Sequence, residues 1–468
     1  MLSHVIVISL LCTFSYHTTL QSTNVNVYDD YRKFLSTKTP YSFIGNFNDT
    51  EVKFSGCEAE KIWAIFRHGT RTAGIRIALK MKEKLTMIQK LLLDNHHKSD
   101  YLKEPVLSEL RKWKVSFNES ENKLLTHEGE EELLLLGERY LNRFPKLLNE
   151  HYNNATYKFR FTGTQRTEES AKNFAVGLFG RKESLYVWYP EPLHRDPILR
   201  FYKLCDKWKV EVKKNPATMR EVELFREADA LKGGVKQFSE ELKLDQPLTV
   251  ADCYEIYVAC AFETAWAPTE EPSPWCKILP LNLFKAYEYM EDMEYYYKDG
   301  YGYQVNHDQA CIALKDMVEH LLNPDDPTAV FYFTHSGTLL KLVSHLGLYK
   351  DKEPLRHNTS NWNKRKWRTS HIDAFGTNLA FIRYSCGDDG EKILTMHQER
   401  PVILPGCPTS SPLCPLDVFL DNYADSLSCD FDTICSLVIP KQSYDFLLNL
   451  ILLVIRCLIK DVLPFMKL

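Results

Sequence analysis

Residues Arg67-His68-Gly69-Thr70-Arg71 carry the densest chemistry in the chain. Two arginines flank a histidine, and guanidinium forks match phosphate oxygens two at a time. A neutral imidazole held between them can attack phosphorus and form a phospho-enzyme, which splits one difficult step into two easier ones. The arginines would offset charge on the equatorial oxygens. Gly69 leaves room for a ligand to approach the backbone. Two other segments have matching character: Thr162-Gly163-Thr164-Gln165-Arg166-Thr167 and Thr334-His335-Ser336-Gly337.

Each of these polar turns follows an apolar, β-branched or aromatic run (residues 61–66, 157–161 and 329–333). A helical pattern follows the second and third, to Phe179 and over residues 338–346. Strand, turn and helix repeated in this way predict an α/β fold: a mainly parallel sheet flanked by helices. Ligands of such sheets bind at the carboxyl ends of the strands, so the turns bring Arg67, His68, Arg71, Arg166 and His335 to one edge. Thr126 is placed to cap a helix running to Phe144, with Glu128, Glu130 and Glu131 in its first turns. Residues 200–325 contain no comparable strand run and read as a helical subdomain inserted between strands. Residues 378–384 are a further strand. The Pro- and Cys-rich segment from Leu404 to Cys435 reads as a disulfide-pinned coda.

The chain has 468 residues, 44% hydrophobic and 26% charged, a composition that excludes disorder. A net charge of -4 excludes a globally basic nucleic-acid binder, and the even spread of charge excludes a multi-span membrane protein. Thirteen cysteines without a CxxC pair point to an oxidising compartment, not to a zinc site. Residues 1–22 have the apolar stretch of a signal peptide at 5–14. Sequons begin at Asn48, Asn118, Asn154 and Asn358, so the expected location is the secretory pathway: secreted, lumenal in the endoplasmic reticulum, or anchored at the cell surface. The tail, 436–468, is apolar over 446–455 but interrupted by Arg456, Lys460 and Asp461. It falls short of the ~20 residues a spanning helix needs, which leaves a membrane anchor and a packed helix both open. Residues 23–435 remain as one folded unit. Setting aside Cys12 and Cys457 leaves 13 − 2 = 11 cysteines, so one thiol is free or bonds another chain.

IWAIFRHGTRTAG resembles the signature of the histidine phosphatase superfamily, in its acid phosphatase and phytase branch, and TGTQRTEESAKNFAVGLFG is similar to that branch's second pocket segment. DPILRFYKLCDKW, SPWC, YYYKDGYGY and FYFTHSGTLLKLVSHLGLYKDKEPL resemble the branch's inositol polyphosphate phosphatases, so the likeness covers most of the chain after the leader. The resemblance implies the histidine phosphatase fold and hydrolysis of small phosphomonoesters. Inositol hexakisphosphate and, for some members, 2,3-bisphosphoglycerate are among the substrates, and no metal or other cofactor is needed. By the same resemblance His68 matches the nucleophile, Arg67, Arg71 and Arg166 match the phosphate-holding arginines, and His335 matches the second pocket histidine.

The departure lies beside His335. The family has a carboxylic acid in His-Ala-Glu or His-Asp that protonates the leaving oxygen, and this chain has Ser336-Gly337. General acid catalysis is worth about 10²–10⁴-fold. Three outcomes follow: a slow phosphatase, a replacement donor with Glu168 and Asp373 as candidates, or a pseudophosphatase that binds anionic ligands without turnover. Ala73, where relatives often have proline, has little bearing on the chemistry. A basic rim for a polyanion has Lys80 and the run Lys364-Arg365-Lys366 as candidates, though the run reads first as a solvated charged loop. The resemblance also implies pairing of Cys57 with Cys386, Cys260 with Cys276, Cys407 with Cys414, and Cys205 with Cys429 or Cys435.

Overall fold

The computed structural model describes residues 27–115 and 119–437. The expected leader, the Asn118 sequon and the tail beyond Leu437 lie outside the described residues. In chain order the elements that matter for the site begin with β1 (Glu58–Arg67), α1 (Ile75–Asn95), α2 (His127–Arg143), β2 (Tyr157–Phe161) and α3 (Gln165–Glu183). They continue with α4 (Val250–Trp266), α5 (Leu281–Asp299), α6 (Cys311–Leu322), β3 (Ala329–Thr334) and α7 (Ser336–His345), then β4 (Asn378–Ser385), β5 (Glu391–His397), β6 (Arg400–Pro401) and β7 (Leu413–Pro415).

The sheet order is β2-β3-β1-β4-β5-β6, with β7 also paired to β5. β1 and β2 both run parallel to β3, whereas the pairings of β4 with β1, β5 with β4, and β6 and β7 with β5 are antiparallel. The α/β class with flanking helices therefore holds, and the sheet is mixed, not mainly parallel. Connection length explains the change. Long helical crossovers join β1 to β2 and β2 to β3, as parallel neighbours require, while a short turn with Gly387 and Gly390 at positive φ folds β5 straight back on β4.

Residues Ile62 to Phe66 have no solvent-accessible surface, and their side chains alternate between two cores. Ile62, Ala64 and Phe66 pack with Leu133, Leu136 and Tyr140 of α2 and Phe174 of α3. Trp63 and Ile65 pack with Leu314 and Met317 of α6 and Leu339 and Val343 of α7. A strand covered on both faces reads as the continuous apolar run seen in the sequence. Each fully buried side chain of this size contributes roughly 1.5–3 kcal/mol of transfer free energy. A third core lies among α1, α4 and α5, where Leu85, Ile88, Tyr257, Phe262 and Tyr287 meet. Between β2 and β3 the described residues form helices joined by loops, with no strand among them.

Among the described residues five disulfides close the fold: Cys57–Cys386, Cys205–Cys435, Cys260–Cys276, Cys311–Cys429 and Cys407–Cys414. Cys205 takes Cys435 of its two candidate partners, and Cys429 goes to Cys311. The odd thiol is Cys253, buried in α4, where burial pushes its pKa up. Asn48, Asn154 and Asn358 are all exposed. Among the described residues no helix is long and apolar enough to cross a membrane.

Candidate active site

The strand register assembles the site. Phe66 of β1 and Phe161 of β2 both stand opposite Phe333 of β3, so the three strands end level. The residues that follow, Arg67-His68, Thr162 and Thr334-His335, leave the sheet at one edge. Backbone bonds lock them together: His68 N–H donates to the Thr334 carbonyl (3.1 Å) and Thr162 N–H to the Phe333 carbonyl (3.2 Å).

The His68 and His335 rings meet edge to face with centroids 5.5 Å apart. Each has a tautomer dictated by its partner. His68 Nδ1 lies 2.9 Å from the Gly69 carbonyl, which can only accept, so Nδ1 carries the proton and Nε2 keeps its lone pair. His335 Nδ1 lies 3.3 Å from an Arg166 N–H, which can only donate, so the His335 proton sits on Nε2 and goes to Thr162 Oγ1 at 2.9 Å. Both imidazoles are held well below the usual histidine pKa. Burial is the larger cause for each, followed by Arg67 for His68 and Arg166 for His335.

Arg67 is buried. Its NH1 donates to the Thr37 carbonyl (2.8 Å) and the Asp373 carbonyl (2.5 Å), its guanidinium lies 4.5 Å from the Phe375 ring centre, and Asp373 Oδ2 stands 3.7 Å away. Arg71 donates to the Thr72 carbonyl and rests over Phe262 of α4. Burial, then Arg67 and Arg166, push the Arg71 guanidinium down to about 9, and burial and Arg200 push Arg166 down to about 10. Among the described residues neither Arg71, Arg166 nor Arg200 forms an ion pair with a carboxylate. Burying unpaired cations side by side is costly, and a dianion placed among them relieves the cost.

The five side chains read from the sequence therefore converge. Gly69 has a different use from the one expected. A Cβ there would strike the carbonyl oxygen of Gly129 and lie 2.8 Å from its Cα, so the close approach is by the start of α2, not by a ligand. Gly337 opens α7. A Cβ there would sit 3.4 Å from Asp299 Oδ1 and 3.7 Å from the Tyr202 ring, ordinary contact distances. Glu168 pairs with Lys172 at 2.8 Å on a half-exposed face of α3, whereas Asp373 lies at the site. Lys80 lines a 230 Å³ cavity beside Arg67 and Arg71, together with Lys38, Glu255, Glu291 and Tyr295. The run Lys364-Arg365-Lys366 lines no part of that cavity. Arg365 is buried in ion pairs with Glu288 and Asp292, and Lys364 and Lys366 are exposed.

Three site residues escaped the sequence reading. Arg200 adds a further cation beside Arg166 and His335 and precedes Tyr202 in the DPILRFYKLCDKW segment, which has no strand-turn-helix pattern to mark it. Lys123 is largely exposed, yet it is partly desolvated and lies close enough to Arg71 and Arg166 for burial and then these two cations to lower its pKa. Glu132 of α2 holds the turn after His68: Tyr41 N–H (2.9 Å), Thr70 N–H (2.7 Å) and Thr70 Oγ1 (2.9 Å) all donate to its carboxylate. Its only sequence signal is helical spacing, since it falls on the same buried face as Gly129, Leu133, Leu136 and Tyr140.

The sequence pattern of the Histidine phosphatase superfamily (branch 2) matches residues 58–398. The chain is 31% identical over 408 residues to multiple inositol polyphosphate phosphatase 1 of Drosophila melanogaster, covering 84% of this chain and 85% of that one. It is 24% identical to the Homo sapiens protein of the same name, covering 85% and 86%. In structure it resembles the phytase from D. castellii (TM-score 0.71, 18% identity, 86% and 87% coverage). It also resembles the Bifidobacterium longum multiple inositol polyphosphate phosphatase in complex with inositol hexasulfate (TM-score 0.62, 14% identity, 81% and 95% coverage).

Proposed function

Because the chain belongs to branch 2 of the histidine phosphatase superfamily, we propose that it hydrolyses phosphomonoesters through a phosphohistidine at His68, with inositol polyphosphates as its substrate class. The observation that carries this reading is the cluster of Arg67, Arg71, Arg166 and Arg200 around two neutral histidines, in which, among the described residues, the Asp373 carboxyl at Arg67 is the one acidic group within ion-pair distance of any of the four. Such a site is short of negative charge and takes a phosphate dianion.

In the first step the free Nε2 lone pair of His68 attacks phosphorus, and the bond to the leaving oxygen breaks with its electron pair going to that oxygen. The Nδ1–H bond to Gly69 O keeps the ring oriented and offsets the cation that forms. Arg67, Arg71 and Arg166 hold the equatorial oxygens, and His335 Nε2–H is placed to donate to one of them once Thr162 releases it. In the second step water attacks phosphorus, the P–N bond breaks, its pair returns to Nε2, and phosphate leaves. Further phosphates on the ring would meet Arg200, Lys123 and Lys80. The inositol polyphosphate phosphatases among the relatives support that substrate class, and 2,3-bisphosphoglycerate is the second substrate to try. Five disulfides support residence in the secretory pathway.

Gly337 favours one second reading, a binder of anionic phosphates without turnover. The test is release of phosphate from inositol hexakisphosphate and from an aryl phosphate at mildly acid pH, with His68→Ala beside the parent. Turnover that vanishes in His68→Ala supports the hydrolase. If the parent turns over neither substrate while phosphate analogues still bind, the binder is the correct reading.

A further inference from the structure

A leaving alkoxide needs a proton, and position 337, where the resemblance implies a carboxylic acid in relatives, is glycine. Besides Glu255, Glu291 and Glu294, which line the cavity that holds Lys38 and Lys80, four carboxyl groups lie in the neighbourhood, and three of these four are committed elsewhere. Glu168 is ion-paired with Lys172 on a half-exposed helix face. Glu132 is saturated by three donors and sits behind the His68 turn. Asp299, whose Oδ1 stands beside Gly337, is taken up by the fully buried Lys341 ammonium.

The fourth is Asp373. It caps the short helix Thr369–Ile372, has no solvent-accessible surface, and neither carboxyl oxygen closes a hydrogen bond. Its surroundings are the Arg67 guanidinium at the end of β1, the Ser336 hydroxyl at the start of α7, and Asp299 at the end of α5. A fully buried carboxyl whose charge partner, Arg67, stands off at 3.7 Å and whose oxygens close no hydrogen bond is expensive to keep and calls for a use.

We propose that Asp373 is the catalytic proton donor of this active site, delivering its proton to the leaving oxygen from the side where residue 337 contributes no side chain. The inference rests on the hydrolase reading above. As the P–O bond breaks, the Asp373 O–H bond breaks with it. The proton goes to the leaving oxygen to give an alcohol, and the carboxylate that remains faces Arg67. In the second step Asp373 takes a proton from the water that attacks phosphohistidine, and the acid is restored. Burial, opposed by Arg67 and Ser336 and aided by Asp299, raises its pKa to about 7. The acid form is thus present below about pH 7 and lost above it.

The discriminating variable is the leaving group. The parent and Asp373→Asn are compared on an aryl phosphate, which departs without protonation, and on an alkyl phosphomonoester, which does not. Asp373→Asn should lower kcat on the alkyl substrate by about 10²–10⁴-fold, change KM little, and lower kcat on the aryl substrate less than about tenfold. In the parent, alkyl turnover should fall as pH rises through about 7 while aryl turnover should not, a measurement that needs no variant to fold. Equal losses on both substrates would make Asp373 only a counter-ion of Arg67 and overturn the proposal, as would superimposable parent pH profiles. A parent inert on both substrates overturns the hydrolase reading itself and this assignment with it.

Discussion

A single backbone carbonyl decides the readiness of the nucleophile. Gly69 O accepts from His68 Nδ1 and leaves Nε2 with its lone pair, while burial and the surrounding arginines keep the ring neutral. A lowered histidine pKa means that the attacking form survives into acid, so the acid limb of kcat/KM belongs well below pH 6.5 once the substrate's own ionisation near ~6 is allowed for. An acid limb at 6.5 in the free enzyme would show an unperturbed His68 and contradict this account. Gly337 supplies a second check at this scale. Its Cβ position has room, so Gly337→Glu in the Asp373→Asn background should fold and should recover at least about tenfold of the lost alkyl turnover, part of what one general acid is worth. Recovery on the aryl substrate should be negligible. Side chains such as His68, Arg166 and His335 are legible in the sequence because reactive types follow strand ends. Arg200 and Glu132 are not, because their roles depend on which helix face or loop the tertiary fold turns inward.

Elements fix distances that single residues cannot. β1 and β3 were readable because burial on both faces makes them apolar runs, and β2 because its buried aromatics Tyr157, Phe159 and Phe161 alternate with Lys158 and Arg160. β6 and β7 were not, because they are 2 and 3 residues long, and β5 was not, because Glu391, Lys392 and His397 leave it a short apolar centre that takes its partners from β4, β6 and β7. The same limit hid the link between α2 and the His68 turn. Glu132 receives Tyr41 N–H, Thr70 N–H and Thr70 Oγ1, and Gly129 lies against Thr70 with no space for a side chain. Glu132→Ala strands two buried N–H groups at a cost of roughly 1–3 kcal/mol each. It should lower the melting temperature and reduce kcat/KM on aryl and alkyl substrates alike, because it loosens the nucleophile and touches no leaving group. A loss confined to alkyl substrates would instead make Glu132 the proton donor. Gly129→Ala places a Cβ 2.7 Å from Thr70 N and closer still to its carbonyl oxygen. It should destabilise by about 1–3 kcal/mol through overpacking, read as a lower unfolding midpoint.

At the scale of the whole molecule the net charge of -4 conceals a local excess of the opposite sign. The sheet edge contributes Arg67, Arg71 and Arg166, the segment after α3 contributes Arg200, and the loop before α2 contributes Lys123. The overall composition therefore could not reveal the pocket. Nor could it reveal how the end of the described chain is tied down, since the pairings of Cys311 with Cys429 and Cys205 with Cys435 were not settled by cysteine spacing. What the assembled cluster does predict is a folded state under electrostatic load. Mutual repulsion and burial push Arg71 to about 9 and Arg166 to about 10, and an anion bound only by the folded chain removes that load. Inorganic phosphate or inositol hexasulfate should then raise the melting temperature with the concentration dependence of linked binding, about 2.7 kcal/mol at a hundredfold excess over Kd. The shift should survive His68→Ala, which keeps the cations, and shrink in Arg71→Ala and Arg166→Ala. It should also weaken in high sodium chloride, though less than a surface ion pair would, because buried charges are poorly screened. If the parent melts at the same temperature with and without these anions, the cluster does not form a phosphate site. The arginines would then need some other source of countercharge to remain buried where they are.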